Sequence, residues 1–314
     1  MSQAAGSSAQ AGLVLGVLGG SGLYDLPGLT NVRQQSVETP FGAPSGPVVT
    51  GQIGAVTVAF LARHGRGHRF APSEVNYRAN VHALKQLGVT RLLSISAVGS
   101  LRDTIAPGDL VLVDQFIDKT HGRQSSFFGG GIVGHVSFAD PVCLEWVRLV
   151  AQAAAATGAQ AAPHGETPAP HGARAPRVHL GGTYVCMEGP QFSTRAESNL
   201  HRSWGADVIG MTAATEAKLA REAELCFSLL ALSTDYDCWK ADEEAVTVGS
   251  VIEVLKANVA RAEAIVVALA GALGGAAPPA CSCGRAAEHA ILTARDAISP
   301  EARTRLATLY GRYL

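Results

Sequence analysis

Short apolar segments alternate with amphipathic segments along most of this chain. Apolar runs of strand length occupy residues 13–18, 55–62, 91–97 and 226–232. Runs that are apolar at nearly every position are typical of parallel strands, because both faces of such a sheet are covered. Between them, apolar residues recur at helical spacing, as over 75–87 and 247–273. The alternation predicts an α/β fold, with a single domain whose mixed, largely parallel central sheet is flanked by helices.

Composition divides the chain into one folded body and several less regular segments. Residues 1–12 are small and polar and predict a flexible tail, whereas residues 13–273 carry the strand and helix patterns. Inside that body, the Gly/Ala/Pro-rich stretch 157–177 predicts a disordered insertion. A linker over 274–298 and a C-terminal helix over 299–314 complete the prediction, since Ser-Pro-Glu is a helix-start signal.

The overall composition restricts the class of partner. The 314 residues are 47% hydrophobic and 16% charged, with a formal net charge of -1. No basic cluster indicates nucleic acid, and no apolar run reaches the roughly 20 residues of a membrane span. The N-terminal residues lack the charged and apolar regions of a signal peptide. We therefore expect a cytoplasmic protein that binds a small molecule, and neither nucleic acid nor a membrane.

The six cysteines do not form a recognisable sequence motif for a metal. Cys143, Cys186 and Cys226 lie in or beside apolar stretches, where buried free thiols are expected. Cys281 and Cys283 lie in the predicted linker, and no second Cys or His pair at zinc spacing is near them. This CxC pair is either redox-sensitive or incidental, and the sequence leaves open whether it forms a disulfide.

Polar residues follow several of the apolar runs. The segment Gly19–Gly22 follows the first run; its glycines let the backbone approach an anion and its serine hydroxyl can donate, although the spacing fits neither a dinucleotide fingerprint nor a P-loop. Arg63 and His64 follow the second run, where they could hold an oxyanion such as phosphate. Ser96 and Thr212 offer hydroxyls at two further turns. Plain strand-to-loop turns remain the alternative.

Two carboxylates follow the last apolar run. Asp235 and Asp237 are two residues apart, so in an extended segment they face the same way, and their repulsion would raise the pKa of one of them. Carboxyl ends of parallel strands are where ligands bind in open α/β sheets. A solvated loop is the alternative. An anion site combined with an acid for the leaving group suggests phosphorolysis.

The order of these motifs resembles that of the trimeric purine nucleoside phosphorylases, over roughly residues 13–270. Any one match is weak, but eight in the same order are specific. The matching segments are Gly19–Leu23, Thr39–Gly42, Ala62–Arg66, Pro72–Tyr77, Gly99–Arg102, Asp114–Asp118, Glu188–Pro190 and Thr234–Trp239. The chain departs from the family pattern at Ser21, where many relatives have Thr, at Gln191, and at Ala213–Glu216, which lacks a usual Pro.

The resemblance implies a nucleoside phosphorylase-like fold and a role for each matching residue. Asp235 would hydrogen-bond purine N7 and support its protonation, and Asp237 would recognise a 6-amino group. His135 would reach into the site of a neighbouring subunit. The implied phosphate ligands are Ser21, Arg63, His64, Ser96, Ala97 and Thr212. The implied walls of the base, ribose and methylthio pockets are Phe192, Met211, Val248 and Val251.

The resemblance also implies a reaction, in which phosphate and 5′-methylthioadenosine give adenine and 5-methylthioribose 1-phosphate. Phosphate is a co-substrate, and no metal or organic cofactor is implied. The assembly would be a homotrimer or homohexamer. Two alternatives stay open. A phosphorylase for 6-oxopurine nucleosides such as inosine is disfavoured because Asp237 is a carboxylate, not an amide. A non-catalytic nucleoside-binding protein on the same scaffold is the other.

Overall fold

A computed structural model describes residues 13–20, 22, 23, 25–163, 165, 176–240, 248–275 and 280–314, with the backbone alone at 163 and 248–252. The strands are β1 (Val14–Gly19), β2 (Thr30–Gln35), β3 (Val48–Ile53), β4 (Val56–Ala62), β5 (Val89–Ser100), β6 (Leu110–Val113), β7 (Gln115–Asp118), β8 (Gln160–Pro163), β9 (Arg177–Leu180), β10 (Thr183–Cys186), β11 (Val208–Gly210) and β12 (Cys226–Asp235). The helices are α1 (Tyr77–Gln86), α2 (Leu144–Ala156), α3 (Arg195–Ser203), α4 (Ala213–Glu222), α5 (Val248–Gly275) and α6 (Pro300–Tyr310).

The described strands form one mixed sheet whose centre is parallel. Its main path runs β2-β3-β4-β1-β5-β12-β6-β9-β8, and β7, β10 and β11 branch from it. Strands β4, β1, β5 and β12 are mutually parallel neighbours. Their carboxyl ends therefore lie at the same edge, which is the edge where an α/β sheet binds ligands. The predicted fold class is confirmed.

Helices cover both faces of the sheet. One apolar cluster packs α1, α4 and α6 against the strands, and a second packs α2 and α5 against the opposite face. Strand β12 is buried at nine of its ten positions, with only Asp235 partly exposed. Burial on both faces explains why its sequence is a continuous apolar run and not an alternating one.

Helix α5 contains the most apolar long segment of the described chain. Residues Glu253–Gly275 are long and apolar enough to cross a membrane by length and composition alone, with a mean hydropathy of 1.4. The same segment supplies Ala262, Ile265 and Leu269 to the protein core, each with no exposed surface. A buried core helix accounts for this composition.

Several element boundaries differ from the sequence prediction. Helix α1 begins at Tyr77, two residues after the start of the 75–87 pattern, because the Asn76 side chain accepts from the Ala79 N–H. Strand β5 continues to Ser100, so Ser96 and Ala97 lie within it and not in a turn after it. Strand β2 has no apolar run to predict it, because it is an exposed edge strand.

Two segments predicted to be irregular contain packed structure. Within the predicted insertion 157–177, residues 160–163 form β8 and pair in parallel with β9. Residues 164 and 166–175 lie outside the described residues, as does the predicted tail 1–12. The linker prediction over 274–298 is wrong for residues 280–298, because Ala287, Ala290 and Ile298 are buried in the core. Ser299 caps α6 as predicted, accepting from the Ala302 N–H.

Candidate active site

A cavity of about 580 Å³ opens beside the carboxyl ends of β4, β5, β11 and β12. Its volume lies within the range of small-molecule sites, roughly 300–1,000 Å³. Residues from four predicted turns meet there, although they are far apart in sequence. The predicted site residues that line it are Arg63, His64, Ser96, Ala97, Phe192, Met211, Thr212, Asp235 and Asp237.

The two acids lie at the end of β12, close to β5. Asp235 Oδ2 accepts from the Thr234 hydroxyl at 2.6 Å, and its Oδ1 accepts from the Asp237 N–H at 2.8 Å. Gly99 of β5 lies against both acids, since a Cβ there would come within 3.0 Å of Asp235 Oδ1. A side chain at position 99 would displace the carboxylates from this end of the cavity.

Asp237 is the less satisfied of the two acids. Its backbone has a positive φ of 51°, and its Oδ2 is buried without a hydrogen-bond partner among the described residues. Burial raises the pKa of Asp237, and the neighbouring Asp235 carboxylate adds to the shift, while the hydroxyls of Ser198 and Ser193 oppose it. The acid with the raised pKa is therefore Asp237, and burial contributes more to the shift than the predicted repulsion from Asp235.

Arg63 lines the cavity but donates mostly to the protein. Its Nε and Nη2 pair with the buried Glu216 of α4, and Nη2 also donates to the Ser94 hydroxyl at 2.8 Å. Burial alone would lower the pKa of Arg63, but the Glu216 carboxylate outweighs it and the pKa is raised. Nη1 donates to the Ile95 carbonyl at 3.0 Å, and its second N–H has no acceptor among the described residues. A bidentate contact between Arg63 and a phosphate ion would require the guanidinium to give up its bonds to Glu216.

His64 is held as a neutral imidazole. Its Nδ1 donates to the Phe70 carbonyl at 2.8 Å, which leaves Nε2 as the acceptor. Burial and the adjacent Arg63 charge lower the pKa of His64 to about 4. His68 stacks on it with ring centroids 4.3 Å apart. A neutral Nε2 acceptor suits the O–H of a hydrogen phosphate ion.

Thr212 presents a free hydroxyl at the start of α4. It is the N-cap residue, but its side chain makes no capping bond, and Oγ1 is buried without a partner among the described residues. A helix N-terminus offers unpaired N–H groups and a partial positive charge to an anion. Ser96 lies on the same cavity wall, and its hydroxyl donates to the Ala97 carbonyl at 3.3 Å. These groups could together bind an anion at the α4 end of the cavity.

Apolar side chains form the rest of the wall. Met211 lies beside Thr212, and Phe192 is 62% exposed at the cavity margin. Val248 and Val251, predicted for a methylthio pocket, fall in the first turn of α5, where the side chains are outside the described residues. Leu255, four residues after Val251 on the same helix, does line the cavity. Leu255 could have been predicted from the sequence, because residues i and i+4 lie on the same face of a helix.

Two other predicted residues are not in this cavity. Ser21 lies outside the described residues. His135 is exposed in the loop between β7 and α2, where its N–H donates to the Ala290 carbonyl at 2.9 Å, and it does not line the cavity of its own chain. Its assignment to a neighbouring subunit's site remains a prediction.

Sequence reasoning missed the residues that position this site. Besides Glu216, Arg123 joins three segments at the cavity: its guanidinium donates to the Tyr77 hydroxyl, to Glu188 and to the Met211 carbonyl. Arg123 lies in a loop without a motif, and its partners are remote in sequence. Within the described part of the chain, the one group of side chains with metal-binding geometry is a set of four cysteines that do not line this cavity.

Comparison with known proteins supports the relationship suggested by the motifs. The model of the phosphorylase superfamily matches residues 14–270. S-methyl-5′-thioadenosine phosphorylases from Geobacter sulfurreducens and Koribacter versatilis are each 50% identical, covering 96% and 95% of this chain and 99% and 96% of the relatives.

Solved structures agree with the sequence relatives. A methylthioadenosine phosphorylase from an antarctic soil metagenomic library is 46% identical, with a TM-score of 0.85, covering 95% of this chain and 99% of the other. The Schistosoma mansoni methylthioadenosine phosphorylase in complex with adenine is 40% identical, with a TM-score of 0.79, covering 84% and 93%. The family model and the near full-length relatives together establish that this chain belongs to the phosphorylase superfamily.

Proposed function

We propose that this protein cleaves 5′-methylthioadenosine with inorganic phosphate, giving adenine and 5-methylthioribose 1-phosphate. One observation carries the proposal: the anion donors and the paired acids line the same cavity. Glycosidic cleavage leaves positive charge on the sugar and negative charge on the base. An anion beside the sugar and an acid beside the base stabilise those charges where they develop.

Phosphate would bind at the α4 end of the cavity. The free Thr212 hydroxyl and the Ser96 hydroxyl would donate to it, and the His64 Nε2 would accept from its O–H. The remaining Nη1 N–H of Arg63 would add one contact. A phosphate oxygen then forms a bond to ribose C1′ as the bond from C1′ to N9 breaks.

Adenine would leave toward the end of β12. Asp235 would support protonation of N7, so that the base departs neutral, and Asp237 would accept from the 6-amino group. The proton would come from the carboxyl pair, in which burial raises the pKa of Asp237, and the pair would regain it from solvent after the base leaves. The apolar wall at Met211 and Leu255 suits the sugar and its thioether. Neither the donors nor the acids require a metal or an organic cofactor for this step.

We also propose that the enzyme is a cytoplasmic homotrimer or homohexamer. His135 is exposed beside two apolar side chains, Val133 at 53% and Leu292 at 67% exposure. Exposed apolar side chains grouped in this way are typical of interaction sites. Burial of this surface against a neighbouring copy would bring His135 to another site.

The decisive assay measures adenine release from 5′-methylthioadenosine with and without inorganic phosphate. We expect release only with phosphate, together with one equivalent of 5-methylthioribose 1-phosphate. Equal release without phosphate would indicate a hydrolase, and nucleoside binding with no product would indicate a non-catalytic protein.

Replacement of Asp235 by Asn tests the base end of the mechanism. Asp235→Asn keeps the size of the side chain but removes the charge that supports a protonated N7. We expect kcat to fall on the order of 10²–10⁴-fold, as for loss of a general acid or base. Thermal unfolding checks that the fold is retained. Near-normal adenine release by a folded variant would contradict the mechanism.

A second candidate, a 6-oxopurine nucleoside phosphorylase, has one observation in its favour. The pKa of Asp237 is raised by burial, and a protonated carboxyl could donate to a 6-oxo oxygen. Competition between 5′-methylthioadenosine, adenosine and inosine in one phosphate-dependent assay separates the two. We expect 5′-methylthioadenosine to react fastest, and faster inosine turnover would favour the second candidate.

A further inference from the structure

Four cysteines from three distant parts of the chain converge on the side of the sheet covered by α2. Cys143 is the N-cap residue of α2, and Cys226 begins β12. Cys281 and Cys283 come from the segment before α6. All pairs among their four sulfur atoms lie within 4.8 Å of one another. We call these residues the four-cysteine cluster.

The dimensions of the four-cysteine cluster suit a single central ion. A tetrahedral zinc ion with zinc–sulfur bonds of about 2.3 Å separates its sulfur ligands by about 3.8 Å. Cys226 Sγ and Cys281 Sγ are 3.2 Å apart, and no two of the four sulfur atoms are more than 4.8 Å apart. Small outward and inward shifts of side chains would bring all four sulfurs to the tetrahedral spacing.

The surroundings also favour an anionic metal–thiolate centre. Three of the four cysteines are buried, and Cys281 is exposed and provides an entry path for an ion. Cys143 lies at the positive end of the α2 dipole. The Arg221 guanidinium lies 3.9 Å from Cys283 Sγ. Both reduce the cost of the double negative charge on a zinc ion with four thiolates.

We propose that the four-cysteine cluster binds one zinc ion through four thiolates. Binding releases the four thiol protons to solvent and involves no oxidation. The site is distinct from the proposed active site, and a fully protein-coordinated zinc ion is structural, since no coordination position is left for a substrate. The sequence expectation that no zinc site exists considered only nearby cysteines, whereas two of the four ligands come from remote segments.

The metal would hold the C-terminal segment onto the body of the protein. Cys281 and Cys283 lie on that segment, and the same segment binds the loop that carries His135, through the bond from the His135 N–H to the Ala290 carbonyl. Leu292 N–H donates to Val133 in the same way, at 2.9 Å. Loss of the ion would therefore loosen both the segment and this loop.

Metal content is the first test. The full-length protein is purified under reducing conditions, without chelators and without metal-affinity chromatography. Its zinc content is then measured by inductively coupled plasma mass spectrometry. We expect one zinc per chain, and loss of that zinc in Cys281→Ser, whose exposed position makes misfolding a small risk. Replacing a residue that only hydrogen-bonds to a metal ligand typically lowers metal affinity by about 10–100-fold. Removing a ligand itself should lower zinc affinity by at least as much. Cys238→Ser, outside the cluster, is the matched control and should keep its zinc.

Cobalt and mass measurements separate a metal site from disulfides. Metal-free protein titrated with Co²⁺ should develop the intense visible bands of a tetrahedral cobalt–thiolate centre at one equivalent, and Cys281→Ser should not. Alkylation of denatured protein without reductant should modify all six cysteines. The proposal would be overturned if the protein bound neither zinc nor cobalt, or if Cys281→Ser retained its zinc. It would also be overturned if cysteine pairs resisted alkylation and the intact protein were lighter by two hydrogen atoms per pair, as disulfides require.

Discussion

His64 shows how the contacts of one side chain determine its protonation. The Phe70 carbonyl fixes the Nδ1 proton, and burial beside Arg63 keeps the ring neutral. In the unfolded chain the same imidazole has a pKa near 6.5. The unfolded state therefore binds more protons than the folded state between about pH 6.5 and 4. The stabilisation due to a neutral His64 is fully present above that range and is lost as the pH falls through it.

The pH dependence of unfolding tests this assignment. His64→Asn preserves a donor to the Phe70 carbonyl but cannot titrate. Between pH 7 and 5 we expect the wild type to lose about 2 kcal/mol more of its free energy of unfolding than the variant. Urea unfolding at both pH values, at one fixed protein concentration, gives the comparison. Parallel losses in the two proteins would show that His64 is not held neutral.

Asp235 and Asp237 show what residue identity alone could predict. Because they are two residues apart in an extended segment, the sequence predicted that they face one site, and both line the cavity. The raised pKa of Asp237 depends on its burial, and its buried Oδ2 has no hydrogen-bond partner among the described residues. Neither property can be inferred from residue spacing.

Helix α4 links the proposed anion site to the core of the protein. Its N-cap residue, Thr212, lines the cavity, and four residues later Glu216 pairs with the guanidinium of Arg63. Both side chains of this ion pair are fully buried, at 1% and 0% exposure. A buried pair of this kind contributes little net stability, but removal of one partner leaves the other charge uncompensated.

Glu216→Gln is accordingly expected to destabilise the protein by about 3–5 kcal/mol. Glu222→Gln, on the same helix, is the matched control, because Glu222 accepts from the neutral groups Ser126 Oγ and Phe127 N–H. It should cost about 1 kcal/mol, since a glutamine oxygen can still accept. Urea unfolding of both variants measures the difference. Equal losses would mean that the charge of Arg63 is not compensated mainly by Glu216.

At the scale of elements, the sequence predicted buried elements better than exposed ones. Strands β1, β4, β5 and β12 were visible because burial on both faces requires continuous apolar runs. The exposed edge strand β2 and the Ala-rich β8 have no such pattern. The segment before α6 was misjudged as a linker, because its small buried residues, among them Ala287 and Ala290, resemble linker composition.

At the scale of the whole molecule, sequence order predicted the site because parallel neighbouring strands bring their carboxyl ends together. The cavity therefore collects residues from positions as distant as His64 and Asp235. The positioning residues Glu216 and Arg123 could not be predicted in the same way. A helix and a motif-free loop carry them, and their partners are defined only by packing. The four-cysteine cluster was missed for the same reason, since Cys226 and Cys281 are 55 residues apart.

The exposed surface around His135 leads to a prediction about assembly. His135 is exposed and does not line the cavity of its own chain, and the exposed apolar side chains of Val133 and Leu292 lie next to it. Suppose that each active site takes Asp235 from one chain and His135 from a neighbouring chain. A variant without His135 then lacks one half of the site, and a variant without Asp235 lacks the other half. In closed oligomers, such halves can be exchanged between chains.

Mixed oligomers of His135→Ala and Asp235→Asn chains should therefore recover activity that neither variant has alone. In a random one-to-one mixture, about a quarter of the sites would combine two intact halves, and selection of oligomers that contain both chains raises that share. A mixture of Thr212→Val with Asp235→Asn is the control. Both residues line one cavity of one chain, so no mixed oligomer of that pair contains an intact site. Co-expression with two different tags, followed by purification of doubly tagged oligomers and the phosphate-dependent adenine assay, measures the recovery. Recovery in both mixtures, or in neither, would contradict a site shared through His135.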